Sequence, residues 1–126
     1  MKRFDACRCL EPDGVFVFDV NTKRKFDRMN GQCYVRDDED VYCAWQVDFD
    51  GALCTYDFDI FERIGEKNRW ERMEESHLER YYAPEELCAL LEESGFDRIE
   101  LHPELSFGEL DGSEDRIFII ARKRKA

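Results

Sequence analysis

Residues 10–22, LEPDGVFVFDVNT, constrain the fold more than any other stretch of the chain. A turn at Pro12-Asp13-Gly14 feeds the uninterrupted apolar run Val15-Phe16-Val17-Phe18. Strands without polar alternation usually lie inside a sheet covered on both faces. Asp19, Asn21 and Thr22 then close the strand at its carboxyl end. Because so little chain precedes this strand, the expectation is the later part of an α/β fold whose first strands are missing from this chain.

With 126 residues, 43% hydrophobic and 13% aromatic, the chain can bury a core without disulfides or a structural metal, so one domain is expected over 1–126. A net charge of −11 repels phosphate backbones and anionic lipid, which argues against nucleic acid and membrane surfaces as partners. The bases at 23–28 and 122–125 argue against an acidic nucleic-acid mimic, and Arg122–Lys125 read as a solvated strand end. No stretch approaches the ~20 apolar residues of a membrane span. The amino terminus carries no signal-peptide core, so a cytoplasmic chain with reduced thiols is expected. Of the six cysteines, Cys43, Cys54 and Cys88 occupy apolar positions and read as small core residues. Cys7-x-Cys9 with Cys33 lacks the spacing of zinc sites.

Residues 1–9 read as the last turns of a helix with Phe4 and Cys7 on one face, and 23–30 as a short basic helix ended by Asn30-Gly31. Val41, Cys43, Trp45, Val47 and Phe49 alternate with polar or small residues, Asp50-Gly51 signals a hairpin, and Cys54, Tyr56, Phe58 and Ile60 alternate on the return strand. Residues 68–82 admit two readings. Trp70, Met73, His77 and Tyr81 fall at helical spacing, while two preceding strands could accept a third. Pro84 at the first helical position, acids at 85 and 86, the stripe Leu87, Leu90, Leu91 and a stop at Gly95 predict a helix. Strands are expected at 98–102 and 115–122.

In this order the motifs resemble the carboxyl-terminal part of a class I S-adenosylmethionine-dependent methyltransferase. They are Leu10, Pro12 and Gly14 before VFVFDVNT, then Glu75, His77, Arg80 and Tyr82 in an E-x-H-x-x-R-x-Y pattern, a helix of the type EEL..LLE..GF, and a closing R-x-F-x-x-A-R-K strand. The commoner pattern has Gly where this chain has Asp13. The resemblance implies an α+β (partial α/β) chain holding the last three strands of the family's sheet, with 115–122 between 15–20 and 98–102 and antiparallel to both. One or two helices would pack on it. Residues 1–32 and 83–126 would form the partial core, and 33–82 an inserted antiparallel sheet, a substrate lid over the active-site mouth. On that ground 68–82 is expected as strand.

The resemblance also implies S-adenosylmethionine as cofactor of the complete family enzyme. The Gly-rich loop and ribose-binding acid of that family would precede Met1, and the seven glycines here are scattered singly. No cofactor-binding residue, and no cofactor for this chain alone, is therefore expected. Candidate substrate-binding residues are Asp19, Asn21 and Thr22, which equally fit a strand-end turn. His77 with Arg80 and Glu75 could orient or deprotonate a small-molecule acceptor, or stand as a surface histidine. His102 reads as an exposed loop residue. The aromatic group Trp45, Tyr56, Phe58, Phe61 and Trp70 reads as core, or as a surface for an aromatic or lipid-like acceptor. The acids at 37–40 and Asp57, Asp59 and Glu62 lack EF-hand spacing and read as solvated, so no metal is expected. No residue is assigned a catalytic role. As partners, a second copy or a separate cofactor-binding half could pair with the free edge of strand 15–20. The rival to an enzyme fragment is a binding or oligomerisation module using that edge.

Overall fold

The computed structural model describes residues 6–66 and 68–124. Phe4 and the Cys7 side chain of the expected amino-terminal helix, and the terminal bases beyond Arg124, lie outside the described residues. The elements run α1 (Ala6–Cys9), β1 (Val15–Asn21), α2 (Lys23–Met29), β2 (Cys33–Asp37), β3 (Val41–Phe49), β4 (Leu53–Arg63), β5 (Trp70–Arg80), α3 (Pro84–Glu93), β6 (Phe96–Pro103) and β7 (Arg116–Lys123). The chain is α+β and mostly antiparallel. It divides into two compact units, one drawn from residues up to Lys25 and from Tyr82 onward, the other from Phe26–Tyr81. Among the described residues no helix is long and apolar enough to cross a membrane.

In the first unit the strands lie in the order β1-β7-β6, with β7 antiparallel to both neighbours. Residues facing one another across a ladder share a face. Phe16, Phe18 and Val20 of β1 therefore join Ile117, Ile119 and Ala121 of β7 on one side. There they pack with Phe96, Leu87 and Leu91 into an apolar core. Leu91 and Ile119 are fully buried, each contributing about 2 kcal/mol by removal from water. Pro84 opens α3 where its missing N–H costs nothing, Glu85 and Glu86 face the positive end of the helix, and Gly95 at φ 104° lets the chain turn into β6. A bulge between Asp97 and Glu100 sets the phase of β6.

The opposite face of this sheet is open: Val15 is 41% and Val17 55% exposed, not covered on both faces as the apolar run predicts. Among the described residues β1 pairs only with β7. Lys123 N donates to Gly14 O, and Thr22 N donates to Asp115 O. Even-numbered residues of β1 therefore bond to β7, and the amides of Val15, Val17 and Asp19 point to the other edge.

In the second unit β2-β3-β4-β5 form an antiparallel sheet in sequence order. Phe26 of α2, Val47, Phe49 and Cys54 make its buried core, with Phe26 stacked on Phe49 at 5.0 Å and Tyr81 edge-on to both at 6.2 Å. Asn30 Oδ1 accepts from Phe49 N at 2.8 Å, tying the end of α2 to β3. Asp50 N donates to Leu53 O at 3.1 Å, so the hairpin closes on the two residues Gly51-Ala52, one position on from the dipeptide that signalled it. Gly51 sits at φ 99°, and Asp50 Oδ1 accepts from Ala52 N and Leu53 N at 2.8 and 2.7 Å. Residues 70–80 are strand, and helical spacing loses to cross-strand pairing: Arg72 bonds Asp59, Ser76 bonds Asp57 and Tyr56 bonds Glu79.

Candidate functional site

Since β1 and β6 are both antiparallel to β7, they run in the same direction. Their carboxyl ends, Asp19–Asn21 and His102-Pro103, come to one end of the three-stranded sheet, the end where open α/β sheets bind ligands. Asp19 Oδ2 lies 3.5 Å from Arg116 Nη1. Asn21 faces Arg116 in the ladder. Thr22 serves the backbone instead. Its hydroxyl lies 2.7 Å from Glu114 O and 3.1 Å from Asp115 O, and its oxygen accepts from Lys25 N at 3.2 Å as an N-cap to α2. Arg24 donates to Ser113 O at 2.6 Å, so the 111–115 loop is held against the end of β1.

His102 differs from its expected place. It belongs to β6 rather than a loop, its side chain is only 14% exposed, and Nδ1 lies 3.0 Å from Gly108 O. Phe107 packs edge-on against its ring at 5.6 Å. Glu100 and His102 alternate with Ile99 and Leu101, a period of two that carried the signal, but the following proline read as loop. The ring opens into a pocket of about 370 Å³ between the 103–110 loop and the open face of the sheet, where Val17, Phe118 and Ile120 form the floor.

In the second unit the period of two divides the expected cluster. His77 faces Tyr56 and Glu75 faces Phe58 in the ladder, so both share the face of Trp45, whereas Arg80, opposite Leu53, lies on the other face. His77 Nε2 is 3.1 Å from Glu75 Oε2, and its ring sits edge-on to Phe58 at 5.4 Å. Tyr34, Trp45 and Phe58 continue as a stacked row, 5.6 Å between successive rings. Tyr56 donates to Glu79 Oε2 at 3.0 Å. Burial, with the Cys54 and Glu79 hydrogen bonds, pushes the Tyr56 phenol far above its ordinary range, so it stays a neutral donor. Burial likewise raises the Cys54 thiol. Phe61 and Trp70 lie on Arg80's face, beside Tyr42 and Asp37 in a second open pocket, with the Arg63 guanidinium 4.6 Å from the Trp70 ring centroid.

The acidic runs are bound up with arginines. Arg36 pairs with Asp38 at 3.1 Å, Arg63 with Asp40 at 3.3 Å, and Arg72 bridges Asp59 and Glu74 at 2.7 and 2.8 Å. Among the described residues no group of three or more His, Cys, Asp or Glu is arranged to hold a metal ion. Cys54 is buried, Cys43 and Cys88 are half-buried, and Cys9 and Cys33 are exposed rather than core.

Among the described residues the glycines lie singly in turns. A Cβ at Gly14 would meet Glu11 O at 2.8 Å and Leu10 Cβ at 2.9 Å, so that glycine serves the chain's own turn. Gly31, Gly51, Gly65 and Gly112 sit in open turns at positive φ.

No family model matches the chain. "Putative methyltransferase YqeM" of Bacillus subtilis (strain 168) is 27% identical over 121 residues, which cover 94% of this chain and 48% of that protein. The crystal structure of a S-adenosylmethionine-dependent methyltransferase from Clostridium acetobutylicum ATCC 824 superposes with a TM-score of 0.79 at 24% identity, covering 94% of this chain and 48% of the other. SAM-bound CalS10, an amino pentose methyltransferase from Micromonospora echinaspora, gives a TM-score of 0.65 at 15% identity, covering 93% of this chain and 47% of its own. The chain thus spans about half the length of the proteins it resembles, and it matches a carboxyl-terminal part of a class I S-adenosylmethionine-dependent methyltransferase.

Proposed function

We propose that this chain is the substrate-side portion of a S-adenosylmethionine-dependent methyltransferase and needs a cofactor-binding half to work. The observation that carries the reading is the pairing of β1-β7-β6 with a match to nearly all of this chain and about half of each relative. In this reading the three strands are the fifth, seventh and sixth of the family sheet. Residues 33–82 are the lid, and 1–32 with 83–126 are the partial core. On the sheet side Asp19 and Asn21 are the candidates to meet the acceptor, Thr22 being engaged by the backbone; on the lid strand His77 is the candidate, Arg80 standing on the other face of its sheet. S-adenosylmethionine belongs to the completed enzyme, the acceptor is a small molecule and the setting is cytoplasmic. The present chain's part in transfer is to place the acceptor and exclude water, because methyl transfer gains chiefly from alignment.

Calorimetric titration with S-adenosylhomocysteine tests this, first on the chain alone and then on an equimolar mixture with the amino-terminal half of the Bacillus subtilis relative. Binding in the mixture only is expected. Micromolar binding by the chain alone would overturn the need for a second half.

The free edge of β1 supports a second reading, a non-catalytic module that pairs two copies or recruits another chain. Val15 and Val17 are half exposed there, and an apolar unpaired edge invites strand addition. A stable homodimer by light scattering, unaffected by the amino-terminal half, would favour it.

A further inference from the structure

We propose that the open pocket lined by Asp37, Tyr42, Phe61 and Trp70 binds a small methylated ammonium compound, its cationic head held against the three rings and paired with the Asp37 carboxylate. The register of the four-stranded sheet builds the site. Asp37, Tyr42, Phe61 and Arg72 face one another in a single row across β2, β3, β4 and β5, and Trp70, two residues before Arg72, shares their face. Phe61 on β4 is therefore the floor, and Tyr42 and Trp70, from the strands on either side of it, are the walls. Tyr42 stands edge-on to Phe61, with 6.1 Å between ring centroids and 61° between planes, so the two rings form a corner rather than a flat stack. Tyr42 and Phe61 are half-buried and Trp70 is 38% exposed, around a space of about 600 Å³. That size lies within the range of small-ligand sites.

Charge selects the ligand. The face of an aromatic ring attracts a cation, and several rings around one space are the usual receptor for a methylated ammonium. Asp37 is exposed and makes no ion pair among the described residues, its neighbour Arg36 pairing with Asp38 instead at 3.1 Å. The cations nearest the pocket are already engaged. Arg72 is drawn away to Asp59 and Glu74 at 2.7 and 2.8 Å. Arg63 pairs with Asp40 at 3.3 Å and donates to Glu39 O at 3.3 Å. Its guanidinium, 4.6 Å from the Trp70 ring centroid, steadies one side of the indole without lining the pocket, and the other side is left to a ligand. Ile64 N donates to Arg69 O, which extends the β4–β5 hairpin by one pair and puts Arg69 on the opposite face. Asp37, with the second of the two acids around Arg72, therefore leaves negative charge uncompensated, and an anion is repelled. A sugar would need several hydrogen-bonding partners that three rings and one carboxylate do not supply. A primary ammonium is strongly hydrated and gives up more to leave water. A methylated ammonium meets neither objection. Beyond the rings the rim is ionic, Arg63 with Asp40 at one end and Arg72 with Asp59 at the other, which suits a free small molecule rather than a bilayer. The pocket lies wholly within the second unit, so the inference stands apart from the methyltransferase reading.

The test titrates the full 126-residue chain with choline, ethanolamine and 3,3-dimethylbutan-1-ol, which share a hydroxyethyl arm. Ethanolamine keeps the charge without the methyl groups, and the alcohol keeps the methyl groups without the charge. Binding is followed by NMR at the Trp70 indole N–H and through contacts from the ligand methyl groups to the Tyr42 and Phe61 rings. Choline should bind about fivefold more tightly than either of the other two. Phe61→Leu, which keeps an apolar floor without an aromatic face, should remove most of the preference for choline over the alcohol, and Phe61→Tyr should retain it. Asp37→Asn should weaken choline by about threefold and leave the alcohol unchanged. An undisturbed Trp45 indole signal, from the other face of the sheet, shows that each variant is folded. Equal affinity for choline and the alcohol, or for choline and ethanolamine, overturns the proposal, as does a preference that survives Phe61→Leu. Capture by phosphatidylcholine vesicles or by a trimethyllysine peptide, with free choline inert, would overturn the assignment to a small molecule.

Discussion

The two sheets of this chain are stabilised by different means. The three-stranded sheet keeps one face dry with Phe96, Leu87, Leu91, Ile117 and Ile119, and leaves Val15 and Val17 of the other exposed. The four-stranded sheet buries a small patch around Phe26 and Phe49 and holds the remainder with cross-strand pairs such as Arg72 with Asp59 and Tyr56 with Glu79. An aliphatic core on one side of a sheet draws its stability from area removed from water, while a sheet buried over a small patch depends for the rest on its ladder and on paired side chains. The first has an apolar face and edge left over for something else. The second also leaves apolar side chains in water, Val35, Leu53 and Leu78 among them, but scattered among charged neighbours.

If the cores are built separately, damage should stay local. Phe26→Ala, at a side chain 1% exposed, should cost about 4 kcal/mol, and Leu91→Ala, fully buried, about 3 kcal/mol. In hydrogen-exchange measurements the first should speed exchange across β3 and β4, and the second across β6 and β7. Identical profiles for the two variants would break the comparison. Next in size is Gly14→Ala, where a Cβ would strike Glu11 O and Leu10 Cβ below 3 Å, both in the turn that launches β1. A loss of about 2 kcal/mol in urea unfolding is expected, against nothing measurable for the same change at an exposed surface residue. Tyr56→Phe removes the hydroxyl from Glu79 and should cost about 1 kcal/mol, confined to β4 and β5.

The smallest effect is one of pH. Amides of Leu53 and Ala52 donate to the Asp50 carboxylate and hold it below its ordinary value of 3.8. A carboxyl whose folded value is depressed contributes stability above its unfolded value and loses it as pH falls through the lower folded one. Protection at Ala52 and Leu53, measured against the intrinsic exchange rate, should therefore fall as pH drops below 3.8, and Asp50→Asn should remove that dependence. A flat profile in the wild type would contradict the carboxylate's role in the turn.

Patterns confined to neighbouring residues were readable directly. Pro84 and Gly95 bracket α3, Asn30-Gly31 ends α2, and alternation from Val41 to Ile60 marks β3 and β4. Residues 70–80 were ambiguous because a charged edge strand exposed on both faces has no apolar stripe to distinguish it from a helix, and the family resemblance, not periodicity, pointed to strand. The same alternation separates Arg80 from His77, a consequence that appears only once the segment is known to be β. His102 was missed for a related reason. Its burial depends on a loop folding back six residues later, and a proline beside it masked the end of β6. The run Val15–Phe18 indicated a strand correctly but not which of its faces would be covered, since that depends on what else packs there.

The central claim is that β1 awaits a neighbouring strand from a cofactor-binding half, and exchange at the amides of Val15, Val17 and Asp19 tests it most directly. These three point away from β7, so their protection should be low in the chain alone. Adding the amino-terminal half of the Bacillus subtilis relative should slow them by about tenfold or more, leaving β3 and β4 unchanged. Unaltered exchange at these amides, in a mixture that nonetheless binds S-adenosylhomocysteine, would contradict the claim.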